Sequence, residues 1–167
     1  ATVRGGGLSL IQPYTLSAWF MNLAPNSSWR TLTRGSATDH HVIIQSGGDA
    51  LGLFANGRGD FRSSGFAMPS ANYQGAWHHL AAVADDGQTR FYVDGVYRGT
   101  ADREGVNAVT ALGNHTGGGQ RFAEFIDDLR VYALPLSASQ VAQLYASGDT
   151  LFAGPRRPGK FGRSLYF

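Results

Sequence analysis

The chain has 167 residues, of which 43% are hydrophobic and 12% aromatic, with 23 glycines and no cysteine. This length favours one domain with its own hydrophobic core, and the lack of cysteine excludes disulfides, thiol catalysis and cysteine-based zinc sites. The formal net charge is only +2, which argues against a nucleic-acid-binding surface. No apolar stretch approaches the roughly 20 residues of a membrane-spanning helix, so no membrane insertion is expected.

Short strand-like runs separated by turn residues follow one another through most of the sequence. Residues 14–23 (YTLSAWFMNL) place apolar side chains at every second position. Residues 41–65 read as three short strands joined by SGGD and NGRGD turns, and residues 77–100 as three more, joined by DDG and DG. Residues 123–136 form another long strand. Turns at intervals of about 8 to 12 residues predict an all-β fold, a two-sheet antiparallel jelly-roll sandwich.

One segment has the periodicity of a helix instead. It begins at Ser137, a candidate N-cap, and Gln140 follows three residues later, which completes a capping box. Apolar residues spaced i, i+3 and i+4 then form one face, namely Val141, Leu144 and Tyr145. The sequence therefore predicts one short helix near residues 137–147, with Gly148 expected to end it as the C′ residue.

Four segments carry a resemblance to a known family. In this order, YTLSAWF, WHHLAAV, TRFYVDGVYRG and FIDDLRVYALPLSASQVAQLYASG resemble the LamG-like, concanavalin A-like jelly-roll domains of bacterial extracellular proteins. The resemblance covers residues 8–148. It implies two packed antiparallel sheets, an extracellular or cell-surface location, and a non-catalytic role in binding or adhesion. It does not name a ligand, because this fold carries many functions.

The ends of the chain depart from this family pattern. Family members open with a strand resembling Gly-Lys-Phe-Gly-x-x-Leu-x-Phe-Asp-Gly, whereas here GKFGRSLYF stands at the C-terminus. The predicted organisation is a jelly-roll domain at residues 1–148, a linker containing Pro and Gly at 149–158, and a C-terminal strand at 159–167. The apolar residues of this strand, which would carry any assembly, are Phe161, Leu165, Tyr166 and Phe167.

Three arrangements of this strand are compatible with the sequence. The strand can complete its own sandwich, it can complete the sandwich of a neighbouring copy and so build a ring or filament, or it can belong to a following repeat of a tandem array. About 12 linker residues reach up to ~40 Å, so length does not decide between the first two. In both, the strand is expected to lie beside the segment that leads into YTLSAWF. No acid follows Asp149, and the resulting cationic tail either solvates an apolar strand or meets an anionic partner.

The acidic residues argue against catalysis. Glycosidases and lyases on related sandwiches need paired carboxylates, or His and Tyr bases, on the concave face. The chain has only two glutamates, Glu104 and Glu124. Asp127 and Asp128 are neighbours on a predicted strand, so they would point to opposite faces and could not act as a pair. The protein is therefore not expected to be an enzyme.

Asp127 and Asp128 also match positions at which family members hold a structural ion, so the resemblance implies one structural Ca²⁺ here. However, the aspartate of the family's opening strand is replaced by Ala1 or lost at the chain break. The alternative is that one of the two aspartates caps a turn or pairs with Arg130 or Arg121.

The segment GNHTGGGQRF at residues 113–122 precedes the Ile-Asp-Asp strand, and in jelly-roll lectins such loops line the ligand site. The candidate ligand-binding residues are Asn114, His115, Gln120, Arg121, Trp29 and Tyr73. The first four would hydrogen-bond sugar hydroxyls and the two aromatic residues would stack on a sugar ring, unless all six serve only in packing and turns. The sequence thus favours a binding or adhesion module for a carbohydrate or cell-surface ligand. The alternative is a structural subunit of an extracellular filament, assembled by donation of the C-terminal strand.

Overall fold

The computed structural model describes residues 3–35, 39–55, 60–150 and 165–166. Within these residues the first six strands are β1 (Val3–Leu8), β2 (Tyr14–Leu23), β3 (Arg30–Gly35), β4 (His40–Ile44), β5 (Ala50–Ala55) and β6 (Asp60–Ala67). The next six are β7 (Trp77–Asp85), β8 (Gln88–Val93), β9 (Val96–Ala101), β10 (Val109–Leu112), β11 (Ala123–Tyr132) and β12 (Leu165–Tyr166). One helix, α1 (Ala138–Thr150), separates β11 from β12.

The strands form two antiparallel sheets, which confirms the predicted all-β sandwich. Sheet A has the order β1-β10-β3-β4-β5-β6, and sheet B has the order β12-β11-β2-β7-β8-β9. Large apolar side chains on the facing surfaces of the sheets make the main core, among them Phe20, Leu32, Ile44, Phe91 and Phe122. Burial of this surface is the dominant stabilising contribution, at about 25 cal/mol per Å².

Strand β2 is buried on both faces, although the sequence predicted a one-sided alternation. Ala18 and Phe20 point into the main core. Trp19 lies on the opposite face and is only 2% exposed, because its ring stacks on Tyr145 of α1 with centroids 5.6 Å apart. Helix α1 therefore covers the outer face of sheet B and makes a second apolar layer there.

Helix α1 confirms the predicted capping box and corrects the predicted end. The Ser137 backbone N–H donates to Oε1 of Gln140 at 2.8 Å, and the Gln140 N–H donates to Oγ of Ser137 at 3.3 Å. The helix runs on to Thr150, so Gly148 is an internal residue and not the C′ stop. A Cβ atom at Gly148 would lie 2.3 Å from Cζ2 of Trp19. The glycine is needed for this close approach, not for a left-handed turn.

One side of the sandwich is closed and the other carries the two ends of the chain. Strand β6 of sheet A approaches β9 of sheet B so closely that a Cβ at Gly99 would lie 2.0 Å from the backbone oxygen of Ser64. The edge strands of the opposite side are β1 and β12. The seam of the sandwich is this edge, formed by β1 and β12.

At the seam, the two terminal strands β1 and β12 pair with β10 and β11, which are linked to each other. Val3 pairs with Leu112 of β10, and Tyr166 pairs with Phe125 of β11. The Phe122 N–H donates to the Gly113 carbonyl at 2.9 Å, which links the residues that follow β10 to those that precede β11. The C-terminal strand thus pairs with β11 of its own chain. Only Leu165 and Tyr166 of this strand are described. They do not pair with β1, the strand before β2, which is hydrogen-bonded to β10 in the other sheet.

Some predictions fall on parts of the chain that lie outside the described residues. These parts include most of the predicted linker at 149–158, together with Phe161 and Phe167 of the C-terminal strand. In the described part of the chain, no helix combines the length and the apolar character that crossing a membrane requires.

Candidate functional site

A groove of about 200 Å³ lies where the β2–β3 connection meets the loop that precedes β11. The residues that line it are Ala24, Pro25, Ser27, Ser28, Trp29, Gly119 and Arg121. It therefore combines two of the six predicted ligand-binding residues, Trp29 and Arg121. Ninety-one positions separate Ser28 from Gly119 in the chain, so only the fold brings the two walls together.

Direct hydrogen bonds fasten the two walls of the groove. Oγ of Ser28 donates to the carbonyl oxygen of Gly119 at 2.7 Å. The Thr31 N–H donates to the Gln120 carbonyl at 2.9 Å, and Thr31 Oγ1 donates to Oε1 of Gln120 at 2.7 Å. These bonds join the two walls directly through groups of the chain itself, so the groove is largely preformed. Gln120 serves this fastening, and its side-chain oxygen is already engaged by Thr31.

Asn114 shapes the loop from inside. Its side chain is buried, and its Oδ1 accepts the backbone N–H groups of His115 and Gln120, each at 2.8 Å. Asparagine side chains often stabilise turns in this way. Asn114 therefore positions the loop through its side-chain oxygen, and its role as a sugar contact stays a prediction.

Trp29 supplies the aromatic surface of the groove. The residue is half-buried, and its indole makes edge contacts with the rings of Phe54 and Phe61, with centroids 6.3 and 5.4 Å apart. Edge-to-face packing of this kind fixes the orientation of an aromatic ring. The indole that lines the groove is thus held by neighbours from β5 and β6.

Arg121 supplies a positive charge at the rim. Its side chain is exposed, while its backbone forms an isolated parallel bridge with Thr31. The following residue is also fixed, because the Ala24 N–H donates to the Phe122 carbonyl at 2.9 Å. The guanidinium therefore extends from a rigid anchor next to the Trp29 wall.

Two predicted ligand-binding residues do not reach the groove. Tyr73 is 7% exposed and follows a 3-10 turn (Ser70–Asn72) that turns it into the core. There its ring contacts Phe20 and His78 with centroids 5.8 and 4.9 Å apart, so it offers no face to a sugar. Burial also raises the pKa of the Tyr73 phenol.

His115 lies on the other side of the same loop. Its ring stacks on His40 with centroids 6.0 Å apart, and its Nδ1 accepts the Gly117 N–H at 3.0 Å. Desolvation lowers the pKa of the His115 imidazole, and the charge of Arg34 adds to this effect. His115 therefore contributes to the inner packing of the loop and does not line the groove.

Asp127 and Asp128 lie at a bulge in β11 that interrupts its pairing with β2. Asp128 has a positive φ of 49°, and its N–H donates to Oδ1 of Asp127 at 2.8 Å. Both carboxylate oxygens of Asp128 accept from Arg130, at 2.8 Å from Nε and 2.7 Å from Nη2. This bidentate pair raises the pKa of Arg130. It is the ion pair with Arg130 that the sequence analysis gave as an alternative to calcium binding.

The ion pair with Arg130 would compete with a calcium ion for the carboxylate of Asp128. Ca²⁺ takes six to eight oxygen ligands, and a carboxylate held on both oxygens by an arginine is a poor donor. Across residues 3–35, 39–55, 60–150 and 165–166, no group of three or more His, Cys, Asp or Glu residues comes together to hold a metal. Calcium binding stays a prediction from the family resemblance that the described residues do not support.

Sequence reasoning missed Pro25, Ser27, Ser28 and Gly119 as groove residues, and it missed the support beneath them. That support is Arg30, which is 1% exposed and pairs with Asp49. The guanidinium also donates to the carbonyls of Ala24 and Met68, at 3.4 and 3.3 Å. The sequence of β3, RTLTRG, gave no signal that distinguishes Arg30 from an exposed arginine.

Comparison with known protein families matches residues 2–142 to a single family, the concanavalin A-like lectin/glucanases superfamily in its laminin G form. The chain belongs to this superfamily. The match spans β1 to β11 and all of the groove, and it confirms the resemblance carried by the strand motifs.

An individual relative shares only a modest sequence identity with the chain. The chain is 27% identical over 157 residues to the adhesion G-protein coupled receptor V1 of Danio rerio, a match that covers 81% of the chain. It spans only 2% of the length of that receptor.

Two solved structures have the same fold at low identity. The heptameric SAP-like pentraxin of Limulus polyphemus superposes with a TM-score of 0.61 at 19% identity, over 86% of this chain and 74% of the pentraxin. Domain 4 of AbnA, an extracellular arabinanase of Geobacillus stearothermophilus solved with arabinotriose, superposes with a TM-score of 0.59 at 22% identity. That match covers 87% of this chain and 80% of the domain.

Proposed function

We propose that the protein is a non-catalytic, extracellular binding module that takes a carbohydrate in the groove between Trp29 and Arg121. The observation that carries the proposal is the hydrogen bond of 2.7 Å between Ser28 and Gly119, which holds an aromatic wall and a polar wall in one preformed groove. Sugars present apolar ring faces and hydroxyls together, so a site of this composition complements them.

The lining of the groove also supports a role without catalysis. The residues that line it include no carboxylate and no histidine, and hydrolysis of a glycosidic bond normally requires two carboxyl groups on either side of it. A groove of this kind holds a ligand without supplying the groups that would cleave it.

The comparisons support the class of function more than its details. The arabinanase domain was solved with arabinotriose, and the zebrafish relative is named as an adhesion receptor. At the identities given above, the structural likeness carries the fold alone. The groove residues of this chain therefore carry the proposal.

The first experiment is a glycan array followed by isothermal titration calorimetry with the best oligosaccharide. We expect Trp29→Ala to weaken binding by about 10-fold, because stacking of an aromatic ring contributes about 0.5–1.5 kcal/mol beyond the burial of its apolar area. Tyr97→Ala is the matched control, since Tyr97 is a 53% exposed aromatic residue at the β8–β9 hairpin, outside the groove lining.

Trp29 also packs on Phe54 and Phe61, so Trp29→Phe and a thermal melt of each variant separate binding from folding. A folded Trp29→Ala variant that binds as tightly as the natural chain would overturn the proposal. So would a natural chain that binds no glycan on the array.

Self-assembly through the C-terminal strand is the second candidate function. Its supporting observations are the likeness of residues 159–167 to the opening strand of the family and the place of β12 at the edge of sheet B, beside β11. A strand that pairs only at an edge can pair in the same way with β11 of another copy.

Light scattering after size-exclusion chromatography tests this second candidate. A filament-forming chain gives ladders of oligomers, and deletion of residues 159–167 leaves a subunit that the peptide GKFGRSLYF rescues. A monomer at all concentrations contradicts assembly and places the strand in its own sandwich.

A further inference from the structure

We infer that the connection between β9 and β10, residues 102–108, is a strap that acid releases, because its closed position requires an uncharged His41. The strap lies against the first residues of β2 and β4, beside an apolar cluster that includes Tyr14 and Val109. None of its residues lines the groove, so its release is a property separate from the proposed ligand binding.

Three consecutive residues of the strap are each held by one buried side chain. The bonds are those from the Tyr14 hydroxyl to the Gly105 carbonyl at 2.8 Å, from the Val106 N–H to Oδ2 of Asp39 at 2.9 Å, and from Nε2 of His41 to the Asn107 carbonyl at 2.7 Å. The side chains that hold the strap belong to residues that are each only 1% exposed. The middle of the strap is therefore fastened by side chains from the body of the sandwich.

The ring of His41 can hold the strap only in its neutral form. A carbonyl oxygen accepts, so Nε2 carries the hydrogen and Nδ1 of the neutral ring carries none. Within the part of the chain that the structure describes, Nδ1 is buried and has no hydrogen-bond partner. A Cβ at Gly105 would lie 2.5 Å from Cδ2 of His41, so the strap packs directly on the ring. A second proton would therefore place a charged N–H in an enclosed space without an acceptor.

The titratable groups that face His41 and the strap are Asp39, Tyr14 and Glu104. Burial lowers the pKa of His41 below its usual value of 6.5, although the Asn107 carbonyl and the charge of Asp39 act in the opposite direction. Tyr14 stays uncharged, because burial raises the pKa of its phenol well above the usual range, and Glu104 adds to that effect. When the strap opens, the imidazole reaches water and takes up a proton more readily. Opening should therefore become easier as the pH falls below about 6.5.

Hydrogen exchange of the Val106 amide in the full chain, followed by NMR and corrected for the intrinsic exchange rate, measures this opening. Between about pH 7.5 and pH 5, we expect the equilibrium constant for opening to rise by up to about 30-fold, since each pH unit below the pKa of the exposed ring contributes up to about tenfold. Low urea concentrations should leave this opening unchanged, because it exposes little surface. Amides of β7, in the middle of sheet B, should exchange through global unfolding and respond to urea.

Three variants assign the effect to one ring. His41→Gln keeps a side chain that can donate to Asn107 but cannot titrate, so it should remove the pH dependence of Val106 exchange. His115→Gln is the matched control, because His115 also has a lowered pKa but stacks on His40 outside the strap, and this variant should keep the pH dependence. Tyr14→Phe removes one bond to the strap and should raise opening by about 2- to 10-fold at both pH values alike.

Each outcome decides for or against the strap. A pH dependence that survives His41→Gln overturns the inference and assigns the titration to Asp39 or Glu104. A Val106 amide that exchanges as slowly as the amides of β7, with the same response to urea, overturns it as well, because the strap then opens only with the whole domain. If His41→Gln does not fold, an NMR titration of the imidazole in the natural chain decides instead. A pKa of His41 at or above 6.5 in the folded chain refutes the strap, and a lower pKa supports it.

Discussion

Gly148→Ala should destabilise the protein, although the same change stabilises most helices. In the interior of an exposed helix, replacing Gly by Ala gains about 1 kcal/mol. Here the new Cβ would lie 2.3 Å from Cζ2 and 2.8 Å from Cε2 of Trp19. Ordinary contacts between carbon atoms are about 3.5–4 Å, so the helix or the ring has to move by roughly 1 Å.

Trp19 cannot yield easily, because its indole lies between Tyr145 and His79, with centroids 5.6 and 5.1 Å away. Overpacking of this kind costs about 1–3 kcal/mol, which outweighs most or all of the gain in helix propensity. We therefore expect a net loss of up to about 2 kcal/mol, or up to roughly 8 °C in melting temperature for a domain of this size.

Urea unfolding followed by circular dichroism measures the loss. Ala146→Gly, an exposed position of α1, calibrates the propensity contribution in the opposite direction. In a Trp19→Phe background the ring atom nearest to Gly148 is removed, so Gly148→Ala should become much less harmful, and the double-mutant cycle reports the coupling. If Gly148→Ala stabilises the natural chain by the full propensity gain, the close approach of α1 to β2 is wrong.

Three further predictions follow from groups outside the groove. Asp128→Asn should lower the free energy of unfolding by less than about 1 kcal/mol, because its pair with Arg130 is partly exposed and screened; a loss of several kcal/mol in urea melts would contradict this. Burial lowers the pKa of His41 below its usual value of about 6.5, so the unfolded chain binds a proton more readily. Stability should therefore fall as the pH drops below about 6.5, with a slope that His41→Gln reduces, and an unchanged slope in melts between pH 7 and 5 would refute the assignment. Because Arg130 holds both oxygens of Asp128, neither EDTA nor millimolar Ca²⁺ should shift the melting temperature. A rise of several degrees in melting temperature with Ca²⁺ would instead support the calcium site.

Local sequence patterns predicted β2, β4 to β9, β11 and the helix start because their causes are local, whereas β1, β3 and β10 were not predicted. The Ser137–Gln140 capping box and the turns between strands depend on residues a few positions apart. The prediction that Gly148 ends the helix was wrong because the role of this residue does not depend on local sequence. Its role depends on Trp19, a partner 129 positions away that no periodicity identifies.

In the candidate site, too, some features could be predicted from the sequence and others depend on the fold. The sequence identified Trp29 and Arg121 as candidates, but only the fold brings them into one groove, through the contacts of Ser28 and Thr31 with the loop before β11. Tyr73 carried similar chemistry and was misplaced, because Phe20 and His78 from two other strands enclose its ring. Residue type therefore indicated what the groove contains, whereas strand pairing decided which residues belong to it.

The positions of β1 and β12, beside the hydrogen bond between Gly113 and Phe122, affect how the domain would respond to a pulling force. A force applied to residues 3 and 166 enters the sandwich at neighbouring points of the two sheets, since Val3 pairs with Leu112 and Tyr166 with Phe125. Each edge strand is then peeled from its end, and its backbone hydrogen bonds break one after another instead of sharing the load. The first bonds to break lie beside the base of the loop that carries Arg121, so stretching would deform the groove before it reached the core.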